Sequence, residues 1–422
     1  MEIINTCNII KALFTNGFDM SVWRKYAGEI SKELPSKCEN DAKSYDFNKD
    51  VLPVIESALN AEQIDFVSKN FQTVVDTLNA NLSKLFDTEP DINIILYLGL
   101  CNGAGWATTL DGKNTVLLGI EKIIELDWGN ETNMRALILH EIGHLWHKLN
   151  GNLHIPEYTK RRKGIAQLYC EGVAMVCEHI LCGDNNFYHQ NKDGWLDWCY
   201  KNENEIKGEY LRRLDSKESV QDFFGDWCSY NGYSDVGYYL SCKFVEYLMK
   251  SYSLKEIANM KYVALNKAFT EFANIVIEPL DPEDYHKCSN IWNMKSQPLA
   301  DKWLAEIKSG NRLVYIYKIN GEFIGEGALV SDAGDPDYTI PGKRVYVSRM
   351  IVKKEYRNRG IGSEILEFLI NKAAEMGFSE MTIGVDKDNV NALHLYGKYD
   401  FTEILFDGAD EHGEYFKLMK RI

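Results

Sequence analysis

Several protein classes are excluded by what this sequence lacks. It has only 9 prolines in 422 residues and no low-complexity tract or internal repeat, so no long disordered linker is expected and the chain should fold along its whole length. Its ten cysteines run from Cys7 to Cys288 without a CxxC pair, which excludes a zinc ribbon and a disulfide-stapled secreted module. The opening Met1-Glu2-Ile3-Ile4-Asn5-Thr6 lacks the basic stretch of a signal peptide, and no run of about 18 apolar residues stands out; a cytoplasmic location with free, buried thiols is expected. Positive charge is in deficit, 47 Lys+Arg against 62 Asp+Glu for a net charge of -15. Such a surface repels polyphosphate backbones and anionic bilayers, so neither nucleic acid nor membrane is expected as a partner. There is no GxGxxG and no Gly-Lys-Ser/Thr, which excludes a Rossmann fingerprint and a P-loop, and Gly103-Ala104-Gly105 is too short to serve as a nucleotide loop.

What is present is enough chain for two hydrophobic cores, at a composition, 45% hydrophobic and 26% charged, typical of globular proteins. Residues 1–85 read as helices, 92–98 as a strand and 114–124 as a second β-like run. Helical spacing returns at 132–149, 164–181 and 237–249. Past Phe272 strands and helices alternate to the end, which puts a domain boundary near residue 274, with 1–274 mostly α plus a small β-sheet and 275–422 α/β.

The strongest motif of the first part is His140-Glu141-Ile142-Gly143-His144. A 3.6-residue period puts His140 and His144 on one helical face, able to meet one Zn²⁺, with Glu141 beside them to take a proton from water. His147 lies about 10 Å along the axis from His140, too far to share that metal, and is expected to support the site from behind or to lie at the surface. A metzincin would need Gly at position 147 and His at position 150, where this chain has His147 and Asn150. Twenty-seven residues past His144, Glu171 stands in Tyr169-Cys170-Glu171-Gly172-Val173-Ala174, a carboxylate in an apolar helix whose burial a metal would make tolerable.

These residues resemble the gluzincin-like zinc peptidases, over roughly 90–250. The resemblance implies an α+β fold, a zinc-dependent hydrolase acting on peptides, and Glu171 as third ligand, with Glu178 and His179 as competitors or Glu171 as a solvent-facing helix residue. Hydrolysis also needs a donor for the developing oxyanion. Gly232-Tyr233-Ser234-Asp235-Val236-Gly237-Tyr238-Tyr239 looks like the Gly-Tyr-rich start of a late helix in related families, making Tyr238 the candidate, ahead of Tyr239 and Tyr233, against a purely structural aromatic cluster. Trp106-Ala107-Thr108-Thr109 is the candidate edge strand for an extended peptide.

In the second part, 345–352 reads as a strand, and Arg357-Asn358-Arg359-Gly360-Ile361-Gly362 opens an amphipathic helix from Ser363. A strand, a Gly-containing loop and a helix N-terminus offer several free N–H groups to one point, which suits a pyrophosphate. Seven basic residues lie between Lys343 and Arg359 against the single acid Glu355. The Arg357-x-x-Gly360-x-Gly362 pattern is similar to the coenzyme A loop of the GNAT N-acetyltransferases. So is the Asn389-to-Phe401 segment, with Asp400 where that superfamily usually has Gly. The resemblance runs from about 275 to 422 and implies a mixed, mostly antiparallel sheet and acetyl transfer from acetyl-CoA to an amine. It also implies a cofactor site on the backbone of Met350, Ile351 and Val352, a pyrophosphate cradle of Arg357, Asn358, Arg359, Gly360, Ile361, Gly362 and Ser363, an orienting Asn389, and Tyr396 as the acid for the departing thiolate. Ser348 and Arg349 stand where an acid is often found, leaving Glu326 as the alternative base. The expected protein is thus a bifunctional acetyltransferase and zinc peptidase; the competing readings are a non-catalytic binding module in the first part, or an enzyme modifying aminoglycoside-like antibiotics.

Overall fold

A computed structural model describes residues 1–410 and 413–422, and the chain divides into two compact units, Met1–Phe269 and Thr270–Ile422. The first is mostly helical around a four-stranded sheet of β1 (Glu2–Asn5), β2 (Ile92–Tyr97), β3 (Gly105–Leu110) and β4 (Lys113–Gly119), in the order β1-β2-β4-β3. β1 and β2 pair in parallel, as do β2 and β4, and β3 closes as an antiparallel edge strand. Two elements differ from the sequence expectation. The first residues form a strand rather than helix, because Glu2–Asn5 pair with partners about ninety residues away. The β-like run at 114–124 ends at Gly119 and continues as a short helix, Ile120–Glu125, since an apolar run alone does not distinguish the two.

Three helices carry the candidate site residues of this unit: α1 (Glu131–Asn150), α2 (Lys160–Cys182) and α3 (Val236–Met249). The Asn130 side chain accepts from the Asn133 N–H at 3.0 Å to start α1, Thr159 caps α2 through Arg162, and Gly183 ends α2 in the left-handed conformation, all at the positions such residues favour. α2 is the central helix, packed on α1 and on α3. By length and composition it could cross a membrane, contrary to the expectation that no such run exists, but 72% of its apolar window is buried inside the unit, as befits a core helix.

Glycine sets how closely these helices approach. A β-carbon on Gly143 of α1 would stand 2.8 Å from the Ala174 carbonyl oxygen of α2, and one on Gly172 of α2 would stand 2.2 Å from the Ser241 carbonyl oxygen of α3. Both clashes are with backbone, which cannot move aside without parting the helices.

The second unit is a seven-stranded sheet ordered β10-β11-β9-β8-β7-β6-β5, from β5 (Ile275–Pro279), β6 (Arg312–Ile319), β7 (Glu322–Val330), β8 (Arg344–Val352), β9 (Glu380–Asp386), β10 (Glu403–Asp410) and β11 (Gly413–Arg421). Only β8 and β9 run parallel; the other neighbours are antiparallel. Helix α4 (Ile361–Glu375) covers one face over β7 and β8, and α5 (Val390–Lys398) follows β9. On the opposite face Tyr285, Trp292, Ile307, Ile316 and Phe323 form a second apolar cluster.

Gly172→Ala should destabilise the first unit by about 3 kcal/mol through overpacking. Gly208→Ala, in the helix Glu203–Ser216 with nothing within 4 Å of its β-carbon position, should be neutral or stabilising by up to about 1 kcal/mol. Urea denaturation of both variants checks the contrast.

Candidate functional sites

In the first unit α1 and α2 bring His140, His144 and Glu171 together. The Nε2 atoms of both histidines lie 3.3 Å from Oε2 of Glu171. Two ligands held tetrahedrally at about 2.0 to 2.1 Å from one zinc would stand about 3.3 Å apart. Neither contact is oriented as a hydrogen bond, and Oε2 of Glu171, shut away from solvent, has no other partner. The donor set therefore fits a divalent cation, and the alternative of a solvent-facing Glu171 does not describe its place.

Behind this group lies a support that the sequence reading missed. Glu178, fully buried two turns along α2, contacts His140 Nδ1 at 3.2 Å with one oxygen and His189 Nδ1 at 3.1 Å with the other. A carboxylate on Nδ1 fixes the tautomer that leaves the Nε2 lone pair for a metal. Burial alone would raise Glu178, but His189 and His140 outweigh it and hold its pKa at about 2. Burial likewise opposes charge on His140, yet its contacts with Glu171 and Glu178 raise it to about 10: the pocket is built to surround positive charge. The seven-residue spacing of Glu171 and Glu178 was the available signal, since it puts both on one face of α2.

Glu141 is buried beside β3, where Oε2 accepts from the Ala107 N–H at 2.7 Å. The edge strand of the sequence expectation is thus an edge in fact, with one of its outward N–H groups taken by the motif's own glutamate. Of the three tyrosines, Tyr238 packs beside this group, its ring centroid 5.7 Å from that of His140. Tyr239 donates to Glu203 at 2.7 Å and Tyr233 stacks on Trp198. Burial first, then Glu171 and Asp235, push the Tyr238 phenol well up. A cleft of about 280 Å³, lined by His154, Glu157, Lys163, Gln167 and Gln221 among others, reaches Glu171. His147 is not at the surface; it is fully buried with its ring on Tyr169.

In the second unit β8 leaves β9 after Val347, the last of four paired residues, whereas its pairing with β7 continues to Val352. A bulge at Ser348 marks the divergence. Met350, Ile351 and Val352 therefore keep one paired edge and offer the other. Asn358 and Gly360 both have positive φ, +60° and +81°, which turns the chain into α4; Gly360 caps that helix without a side-chain acceptor, so its first N–H groups remain available. Arg357 and Arg359 are exposed, the former donating to the Val352 carbonyl at 2.9 Å. Gly362 faces Leu395 of α5, and Tyr396 is buried on that helix near Phe401. Burial, followed by Tyr346, raises Tyr396 to about 12. Asn389 caps α5 through the Ala392 N–H at 3.2 Å, leaving its amide nitrogen free of that duty. Glu326 is buried with one oxygen on Trp292 Nε1 and the other paired to Arg349, whose guanidinium lies over the Trp292 ring.

The Acetyltransferase (GNAT) family pattern matches residues 277–401. An uncharacterized N-acetyltransferase of the pepI 3' region in Lactobacillus delbrueckii subsp. lactis is 30% identical over 166 residues, 38% of this chain and 91% of that relative. The chain belongs to the GNAT family. Family membership rests on the second unit, where the matched residues lie. N-alpha-acetyltransferase MAK3 of Arabidopsis thaliana is 37% identical over 75 residues, 18% of this chain, and the chain spans only 38% of that relative's length. A GNAT acetyltransferase of Elizabethkingia anophelis, solved with acetyl-CoA bound, is 22% identical with a TM-score of 0.26, over 35% of this chain and 99% of that one. In the GNAT unit the open edge at 350–352 and the uncapped helix start at Gly360 suit an extended thioester arm and a pyrophosphate.

If His140, His144 and Glu171 hold zinc, Glu178→Gln should weaken that binding by about 10- to 100-fold without removing a donor, and Glu171→Ala should abolish it. Competition against a chelating dye measures both.

Proposed function

We propose that the chain joins two activities: a GNAT-type N-acetyltransferase in Thr270–Ile422, acetylating an amine, and a zinc-dependent peptidase in Met1–Phe269. The acetyltransferase reading is carried by the divergence of β8 from β9 beside the loop 357–363. Acetyl-CoA would be held by the backbone of Met350, Ile351 and Val352 and by the N–H groups of Arg357 to Ser363, with Arg357 and Arg359 offsetting phosphate charge. The uncharged acceptor amine attacks the thioester carbonyl, a C–N bond forms as the C–S bond breaks, and the thiolate takes a proton. Tyr396, kept protonated by burial, is the proposed donor. Glu326, engaged by Arg349 and Trp292, is a poor base, so the amine's proton is assigned to solvent.

The peptidase reading is carried by the 3.3 Å spacing of the two histidine nitrogens from an otherwise unpartnered carboxylate oxygen. Bound zinc would supply Lewis acidity and make water acidic enough to act as nucleophile near neutral pH. Glu141, with Oε2 fixed by Ala107, has Oε1 to accept the proton and pass it to the leaving amine. Tyr238 donates to the oxyanion. The polar cleft at Lys163 and Glu157 would take a polar side chain of the peptide.

Tyr396→Phe should lower kcat for acetyl transfer by about 100-fold or more with KM for acetyl-CoA little changed, read by release of free thiol across a panel of amines; unchanged kcat removes Tyr396 from the mechanism. Glu141→Gln should retain zinc while losing cleavage of a peptide library. A zinc-loaded wild type that cleaves nothing would make the first unit a binding module instead.

A further inference from the structure

Two neighbouring residues of α2 serve two different clusters. Glu178 turns to His140 and His189; His179, the next residue, turns to α3. There its Nδ1 lies 3.7 Å from Sγ of Cys242, and one turn along α3 the Oε1 of Glu246 lies 3.9 Å from the same sulfur. Nδ1, Sγ and a Glu246 carboxylate oxygen all fall within 4.8 Å of one another. The segment after α2 repeats the division: His189 reaches Glu178, while Tyr188 lays its ring on His179 at 5.0 Å between centroids. The Tyr188 hydroxyl is buried, and burial first, then the neighbouring Cys242 and Glu246, push its pKa well up.

The two contacts of Sγ, at 3.7 and 3.9 Å, are weak thiol hydrogen bonds as they stand and lie a few tenths of an ångström beyond what a shared metal would impose. Around a tetrahedral zinc with Zn–S about 2.3 Å and Zn–N or Zn–O about 2.0 Å, ligand atoms stand roughly 3.3 to 3.6 Å apart. Imidazole, thiolate and carboxylate together are a zinc-type donor set. His179 and Cys242 are buried to 2% and 0% exposure, which rules out Cys242 as a nucleophile toward outside substrates and describes a closed site. The Lys243 ammonium sits 3.0 Å from Oε2 of Glu246 and over the rings of Tyr200 and Tyr239, which leaves Oε1 on the cysteine side. The 3.7 Å contact with Sγ makes Nδ1 the imidazole nitrogen aimed at the cluster.

We propose that His179, Cys242 and Glu246 form a second zinc site, structural in kind, with the Tyr188 hydroxyl at the fourth corner. Binding releases the thiol proton to solvent and leaves a thiolate–zinc bond. The ion ties α2 to α3 through His179, one residue from the Glu178 carboxylate that contacts His140, and to the segment that holds His189.

Cobalt(II) loading of the full-length protein tests this, because the first site has no sulfur ligand and the second does. Wild type should take up two equivalents and show a near-ultraviolet thiolate-to-cobalt absorption. Cys242→Ser should lose that absorption and one equivalent, whereas His144→Ala should keep the absorption and lose the other equivalent, which separates this site from the first. Glu246→Gln should weaken the sulfur-bearing site at least tenfold, and it decides the matter should Cys242→Ser fail to fold by circular dichroism. A single equivalent without sulfur absorption in wild type overturns the proposal, as does an absorption unchanged in a folded Cys242→Ser or in Glu246→Gln.

Discussion

The first unit depends on how closely α2 lies against its two neighbours. At Gly143 the α1 backbone meets the α2 backbone, and at Gly172 α2 meets α3, each with no room for a β-carbon. This distance decides which side chains can share an atom. On α2, Glu171 and Glu178 are seven residues apart, about 10 Å along the axis and on the same face. Between them they hold one imidazole, Glu171 at Nε2 of His140 and Glu178 at Nδ1. Positions one residue on, Gly172 and His179, share the face turned to α3. A single helix thus supplies two carboxylates that hold His140 on one side, and a close contact and a second donor cluster on the other. Parting α1 and α2 by an ångström would stretch the 3.3 Å spacings of His140 and His144 from Glu171 beyond those of a tetrahedral zinc site.

What was legible in the sequence was what helical or strand period determines locally. His140, Glu141 and His144 must share a region of one helix wherever that helix goes, and Glu171 announces itself as an acid in an apolar helix. The order of strands and helices after residue 275 was equally plain, since each has its own period and punctuation. What was not legible depends on partners distant in sequence. β1 exists because Ile92–Tyr97 gives it something to pair with. His147, one residue short of the exposed end of α1, is buried because Tyr169 of α2 covers it. Glu178 and His189 become a support only when α1 lies across α2. Asn389 in the GNAT unit could be read as a ligand-orienting amide, while its carbonyl oxygen answers first to the helix start beside it.

A net charge of -15 says little about either site, because each is defined by its local balance. The GNAT unit collects cations and free backbone N–H groups around Gly360, where an anion is wanted. The first unit does the reverse, and one of its own residues shows how it treats a buried carboxylate that has no cation to hold. Glu121 is fully buried, and both of its oxygens are met by backbone N–H groups, Gly99 at 2.8 Å and Cys101 at 3.0 Å. Burial still raises its pKa, but no acceptor is stranded. Glu178 is satisfied as fully by two imidazoles. Oε2 of Glu171 departs from this practice: it is buried, it has two nitrogens at 3.3 Å, and none of them points a hydrogen at it. An unsatisfied buried carboxylate oxygen costs on the order of 1–3 kcal/mol or more. A cation shared by all three atoms would remove it.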